Sequence, residues 1–161
     1  MWCSFAFSVP SFNFLLCGDS GYPNFPLFRQ IGDALGPFDL ACIPIGAYEP
    51  KEMNKDSHCN PQEAVKIHTD LHSKQSVAIH WGSFQLTEES MGAPPRDLED
   101  AICREEQAHQ RVEEISASRG DDSSHSSINF NVLGHGETLV LKNENHHRRL
   151  RTNVCNSELE R

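Results

Sequence analysis

Apolar residues along this chain come in short blocks, and glycine, proline and polar turns separate them. Asn13 to Cys17 is a compact apolar run ending at Gly18, the pattern of a buried strand. The run from Met1 to Cys17 carries no charge, and it reads as a buried strand entering a core. A signal peptide fits less well, because the run lacks a basic start and contains Pro10. A turn-rich loop follows at Gly18-Asp19-Ser20-Gly21-Tyr22-Pro23. Apolar positions 25, 27, 28, 31, 34 and 35 then share a helical face over Asn24 to Leu35, stopped by Gly36-Pro37.

Asp39 to Ile45 is predicted as a second buried strand, and Gly46 to Cys59 as a long loop. Asn60, Pro61 and Glu63 spell a helix start with a capping box, followed by a mixed apolar stripe through Leu71. Ser76 to Ile79 is predicted as a third strand, running into His80-Trp81-Gly82. After a loop with Pro94-Pro95, Arg96 to Ile115 reads as a charged helix and Ser116 to Ser127 as a mobile Ser/Asp/Gly-rich insertion. Ile128 to Leu133 alternates as a half-exposed strand, and the polar tail from Lys142 reads as disordered. The alternation of strand and helix predicts an α/β fold. Three of its loops place His or Asp immediately after a strand, where such sheets keep their chemistry.

Charge narrows the function classes. The 161 residues carry a net charge of -9 and offer no basic face, so nucleic acid is not an expected partner. The basic run from His146 to Arg151 reads as a solvated tail. Six cysteines include no CxxC pair, so a finger-type zinc site is not expected. Cys17 and Cys42, inside apolar runs, read as small buried hydrophobes. Reduced thiols and an intracellular protein, cytoplasmic or peripheral to internal membranes, are the expectation. Neither a phosphate-binding GxxxxGK[ST] loop nor a GxSxG elbow is present.

The chemistry-bearing candidates are few. Asp19 sits after a strand between glycines, placed to offer oxygen to a metal or simply to bond its own turn. His80, at the end of a strand, is either a site residue or a satisfied core histidine. His58 lies before the Asn60 helix as an acid/base, a phosphate-orienting group or a surface residue. His68 and His72 lie four apart without the Glu of HExxH, and read as helix surface. His135 with Glu137 closes the rim of a site or ends a strand; His109, His125 and His146-His147 receive no function.

Taken in order, several segments match one family. They are Gly18 to Tyr22, Ile31-Gly32, Gly36 to Ala41, Ile43 to Pro50, Asn60 to Ala64, Ala78 to Phe84, Pro94-Pro95 and Val132 to Glu137. From about residue 12 to 138 the chain resembles the N-acyl-phosphatidylethanolamine-hydrolysing phospholipase D group and its bacterial relatives.

The resemblance implies the C-terminal half of a metallo-β-lactamase αββα sandwich over residues 1–138, with 139–161 as a tail. The helix and insertion at about 96–127 match poorly. It implies a site with two Zn2+ ions, in which Asp19 bridges the metals, His80 is a terminal ligand and His58 is catalytic or orients substrate, with Asp19 at the catalytic centre. Zinc would bring the pKa of a shared water near neutrality for attack on phosphorus. The products would be N-acylethanolamine and phosphatidic acid.

The family's upstream HxHxDH motif occurs nowhere in this chain. The site is therefore expected to be incomplete, with weak zinc binding and little hydrolysis by this chain alone. The alternative is a catalytically inactive half-domain that binds or regulates. A homo-oligomer or pairing with a full-length homologue is the expected protein partner, because half a sandwich leaves a sheet face uncovered. Contact with the phospholipid's membrane is expected to come from other segments.

Overall fold

A computed structural model describes residues 3–117 and 127–141. Five strands form one sheet in the order β1-β2-β3-β4-β5. They are β1 Phe5–Val9, β2 Phe12–Leu16, β3 Leu40–Pro44, β4 Ser76–Ile79 and β5 Phe130–Asn131. The first pair is antiparallel, and β2 through β5 run parallel. Helix α1, Leu27–Leu35, connects β2 to β3. The short α2, Lys51–Asn54, and α3, Pro61–Asp70, connect β3 to β4. The long α4, Ala93–Ala117, connects β4 to β5. The chain has the predicted α/β architecture.

The two sheet faces differ. Leu15, Ala41, Ile43 and Ala78 point to the helical side and are buried, together with Phe38, Val65, Ile67, Leu71 and Leu98. The opposite face is also apolar, but open. Phe5, Phe7 and Val9 of β1 lie opposite Leu16, Phe14 and Phe12 of β2, and the row continues from Leu16 to Cys42 and on to Val77. Phe5 and Phe7 are 64% and 59% exposed. An apolar face with no cover among the described residues is how one sheet of a two-sheet sandwich looks by itself.

Several expectations need correction. The uncharged N-terminal run is a hairpin rather than one buried strand, and all of β1 is exposed at the sheet edge. Helix α1 begins at Leu27, because Pro23 and Pro26 hold the preceding residues out of it. Pro94 and Pro95 lie in the first turn of α4, where a missing N–H costs nothing, rather than in a loop. The final strand is only two residues long.

His68 is not surface: it is 7% exposed, its Nδ1 lies 2.7 Å from Ser76 Oγ, and its ring stacks on Phe130. Cys17 is buried as expected, but Cys42, on the open face, is half-buried. The capping box is fully formed: Glu63 N–H donates to Asn60 Oδ1 at 2.9 Å and Asn60 N–H to Glu63 Oε2 at 3.0 Å. Most of the 116–127 insertion, His125, Cys155, the basic run and the tail lie outside the described residues.

Candidate metal centre

Parallel strands open their loops at one sheet edge, and the candidates gather there. Asp19 stands three residues past β2, behind Gly18 in the left-handed region at φ 68. His80 directly follows β4 and is itself left-handed, at φ 59. A non-glycine residue there is strained and is held by its surroundings. His58 arrives from the loop after α2, with its N–H donating to Asn54 O at 2.8 Å.

Two close approaches place His58. Cys59 N–H donates to Ser20 O at 2.9 Å, which ties the His58 loop to the Asp19 loop. Gly21 permits this crossing, since a Cβ there would lie 2.3 Å from Lys55 O. Gly46, after β3, lets that loop pass under His80, whose carbonyl oxygen is 2.2 Å from where a Cβ would be.

The three side chains converge. Each of Asp19, His58 and His80 offers a ligand atom, and all three atoms lie within 4.8 Å of one another. His80 Nε2 is 3.2 Å from Asp19 Oδ1. The His58 and His80 rings stack at 5.2 Å between centroids. His58 Nδ1 is buried and finds no hydrogen-bond partner among the described residues. Such an atom is costly unless something outside the chain satisfies it.

Burial first, and then the neighbouring His80, push the His58 pKa below the usual 6.5, against the raising pull of Asp19 and Glu89. The ring is therefore neutral at neutral pH, with a lone pair available. One carboxylate and two imidazoles suit a divalent metal such as zinc, and three protein ligands with one open position are the usual number at a catalytic zinc.

Sequence reasoning paired Asp19 with His80 and kept His58 apart as a catalytic group, whereas the geometry gives His58 a donor position beside the other two. His135 stays outside the cluster; its ring sits 5.7 Å from that of Trp81, next to the segment that leaves His80. His72 pairs with Asp33 at 3.0 Å, away from the site. One contributor escaped the sequence reading altogether. Glu89 Oε1 accepts from Ala47 N–H at 2.6 Å and Oε2 from Glu49 N–H at 3.1 Å, clamping the loop beneath His80. Ala47 is left-handed, at φ 65, and a non-glycine residue at such an angle was the signal to look for.

A model of the β-lactamase superfamily domain matches residues 1–81, half of the chain. The chain belongs to the β-lactamase superfamily. Within the superfamily it is similar to the N-acyl-phosphatidylethanolamine-hydrolysing phospholipase D group. A protein of that name from Caenorhabditis elegans is 41% identical over 97 residues, covering 60% of this chain and 27% of the relative. The mitochondrial protein of that name from Saccharomyces cerevisiae is 38% identical over 101 residues, covering 62% and 21%. An uncharacterised Mycobacterium bovis protein is 43% identical over 101 residues, covering 61% and 26%.

This superfamily chain thus spans about a quarter of the length of these relatives. A solved Thermotoga maritima structure from the metallo-β-lactamase superfamily overlays 52% of this chain and 38% of its own, at TM-score 0.39 and 21% identity. No helix among the described residues is long and apolar enough to cross a membrane.

Proposed function

We propose that this chain supplies Asp19, His58 and His80 to a zinc centre of a phospholipase-D-type phosphodiesterase. The reaction adds water to N-acyl-phosphatidylethanolamine and yields N-acylethanolamine and phosphatidic acid. The observation that carries the reading is the convergence of the three donors within 4.8 Å at the strand-end edge of the sheet. The names of the nematode and yeast relatives point to the substrate. Cys3, Cys17, Cys42 and Cys59 are free thiols, which agrees with an intracellular protein.

Bound zinc would supply Lewis acidity toward the phosphate oxygens and a water acidified toward neutrality. The chain's own residues do the rest. Asp19 offers a carboxylate oxygen from a glycine-flanked turn and fixes the His80 ring. His58 is neutral near pH 7 because burial disfavours its charged form, so it can accept a proton or offer its lone pair.

The test fuses this chain behind the HxHxDH-bearing half of a family member. With zinc, the fusion is expected to release N-acylethanolamine. Asp19→Ala and His80→Ala are expected to lower the rate by about 100-fold or more, since a displaced ligand shell alone costs up to that much. Full activity in both variants, or turnover indifferent to chelation, contradicts the reading.

A second reading has its own observation, the open apolar sheet face of β1 to β4. There the chain is a non-catalytic half-domain that pairs with a full-length homologue or a second copy. A well-folded but inactive fusion leaves that reading standing.

A further inference from the structure

Glu89 stands in a stretch, residues 81–92, that contains neither helix nor strand. It is half-buried, and both of its oxygens are turned to backbone. Oε1 accepts from Ala47 N–H at 2.6 Å and Oε2 from Glu49 N–H at 3.1 Å. Burial alone would push this carboxyl up. The side chain of Thr87, the N–H of Glu89 itself and the amides of Glu49 and Ala47 hold it below the ordinary carboxylate range instead. The group is therefore charged at neutral pH, and its bonds to the two amides are charge-assisted. A concavity lined by backbone N–H groups is a natural seat for an anion, and here the chain provides the anion itself.

The two amides belong to the loop that leaves β3 and passes under His80. Gly46 comes so close there that a Cβ on it would stand 2.2 Å from His80 O. Ala47 follows at φ 65, and His80 above it has φ 59. Neither is a glycine, and such left-handed angles persist only where surrounding contacts impose them. The β3–β4 ladder supplies one contact, from Ile45 N–H to Ile79 O at 3.1 Å. That bond lies one residue before His80, and Glu89 supplies the next hold. The segment that leaves His80 returns through Glu89 to the loop beneath it, and Glu88 N–H donates to Glu49 O at 3.3 Å alongside. One carboxylate thus closes a ring of chain around His80.

We infer that Glu89 is a positioning residue for His80. By gathering the Ala47 and Glu49 amides on its two oxygens, it fixes the loop on which the His80 backbone rests, and so aims the imidazole at Asp19 and His58. It acts through backbone and stands outside the donor cluster. Its bearing on zinc rests on the proposed function; its hold on His80 does not.

Glu89→Gln is the informative change. It keeps the shape but exchanges one acceptor for an NH2 group, which then faces a backbone N–H. Glu89→Ala removes both acceptors. In zinc-free protein each variant is expected to move the His80 ring resonances and to leave those of His72 in place. With zinc chloride as the probe, each is expected to bind zinc about tenfold more weakly or worse, the usual cost of losing a group behind a metal ligand. Titrations run well below each variant's melting midpoint, so a loss of stability alone leaves the affinity of the folded protein unchanged. The wild type gives a second reading that needs no variant. If the loop positions His80, zinc held by His80 must in return steady the loop. Exchange of the Ala47 and Glu49 amides with solvent is therefore expected to slow severalfold when zinc binds.

His80 resonances and zinc affinity that match wild type in both folded variants overturn the inference. A Glu89→Gln variant that behaves as wild type while Glu89→Ala does not also overturns it, leaving Glu89 a packing role. Amide exchange that is unchanged with zinc bound overturns it as well. A wild type that takes up no zinc removes the metal reading, and the zinc-free His80 resonances then decide the role of Glu89 by themselves.

Discussion

Replacing Gly46 by alanine is expected to destabilise the fold by roughly 3 kcal/mol and to remove the response of His80 to zinc. The new Cβ would stand 2.2 Å from His80 O and 3.4 Å from Trp81 Cα. Both are backbone atoms, so no rotamer change relieves the clash. Nor can the strands part cheaply. Ile45 N–H donates to Ile79 O at 3.1 Å on one side of the contact, and Glu89 clamps Ala47 on the other. Either β3 and β4 lose their last hydrogen bond or His80 leaves its left-handed geometry. Thermal melting measures the first cost, and the His80 ring resonance with added zinc measures the second. An alanine variant with an unchanged midpoint and an unchanged zinc response would contradict the packing described.

Acid is expected to destabilise the protein through a group outside the site. Burial lowers the pKa of His68 from 6.5 to about 4. In the unfolded chain the ring takes up a proton near 6.5, and in the folded protein it does not. Stability from this residue is therefore complete above pH 6.5, falls as pH drops, and is gone below about 4. The shift corresponds to about 3 kcal/mol across that window. Its partners are uncharged: Ser76 Oγ lies at Nδ1 and the Phe130 ring lies against the imidazole.

Carboxylates complicate the low-pH end. Asp39, for example, is held below its ordinary range by a hydrogen bond from Lys74. The measurement is therefore the difference between wild type and His68→Gln in urea unfolding at pH 6.5 and pH 4. The wild type is expected to lose more stability than the variant. Equal losses would contradict a neutral buried His68.

Much of the fold was legible because its signals are local. The strand at 13–17 and the strand at 76–79 are short apolar runs ending at Gly18 and His80, and Asn60 to Glu63 carries its own cap. What escaped depends on contacts between distant segments. The β1–β2 hairpin turns at Pro10-Ser11 without the usual Asn-Gly or Asp-Gly marker, inside a run with no charge to break it. Helix α2 is one turn long, too short to show a stripe. His68 looked like surface because its cover, Ser76 and Phe130, comes from two later strands.

The site shows the same division. Asp19 and His80 follow strands and were visible, and their order within the motif series raised them above turn and core readings. The place of His58 depends on Gly21 letting residues 55–56 cross the Asp19 loop, and no local pattern encodes that. Glu89 sits in a polar loop whose hydrogen bonds exist only once the loop at 46–49 is in place.

The central claim is that Asp19, His58 and His80 act together as donors to one metal. The most direct measurement is long-range 1H–15N NMR of the histidine rings during a zinc titration of the chain. The His58 and His80 resonances are expected to shift together with one equivalent of bound zinc, leaving those of His68 and His72 in place, and Asp19→Ala is expected to weaken the response sharply. Shifts confined to other histidines, or an undiminished response in Asp19→Ala, would contradict the claim.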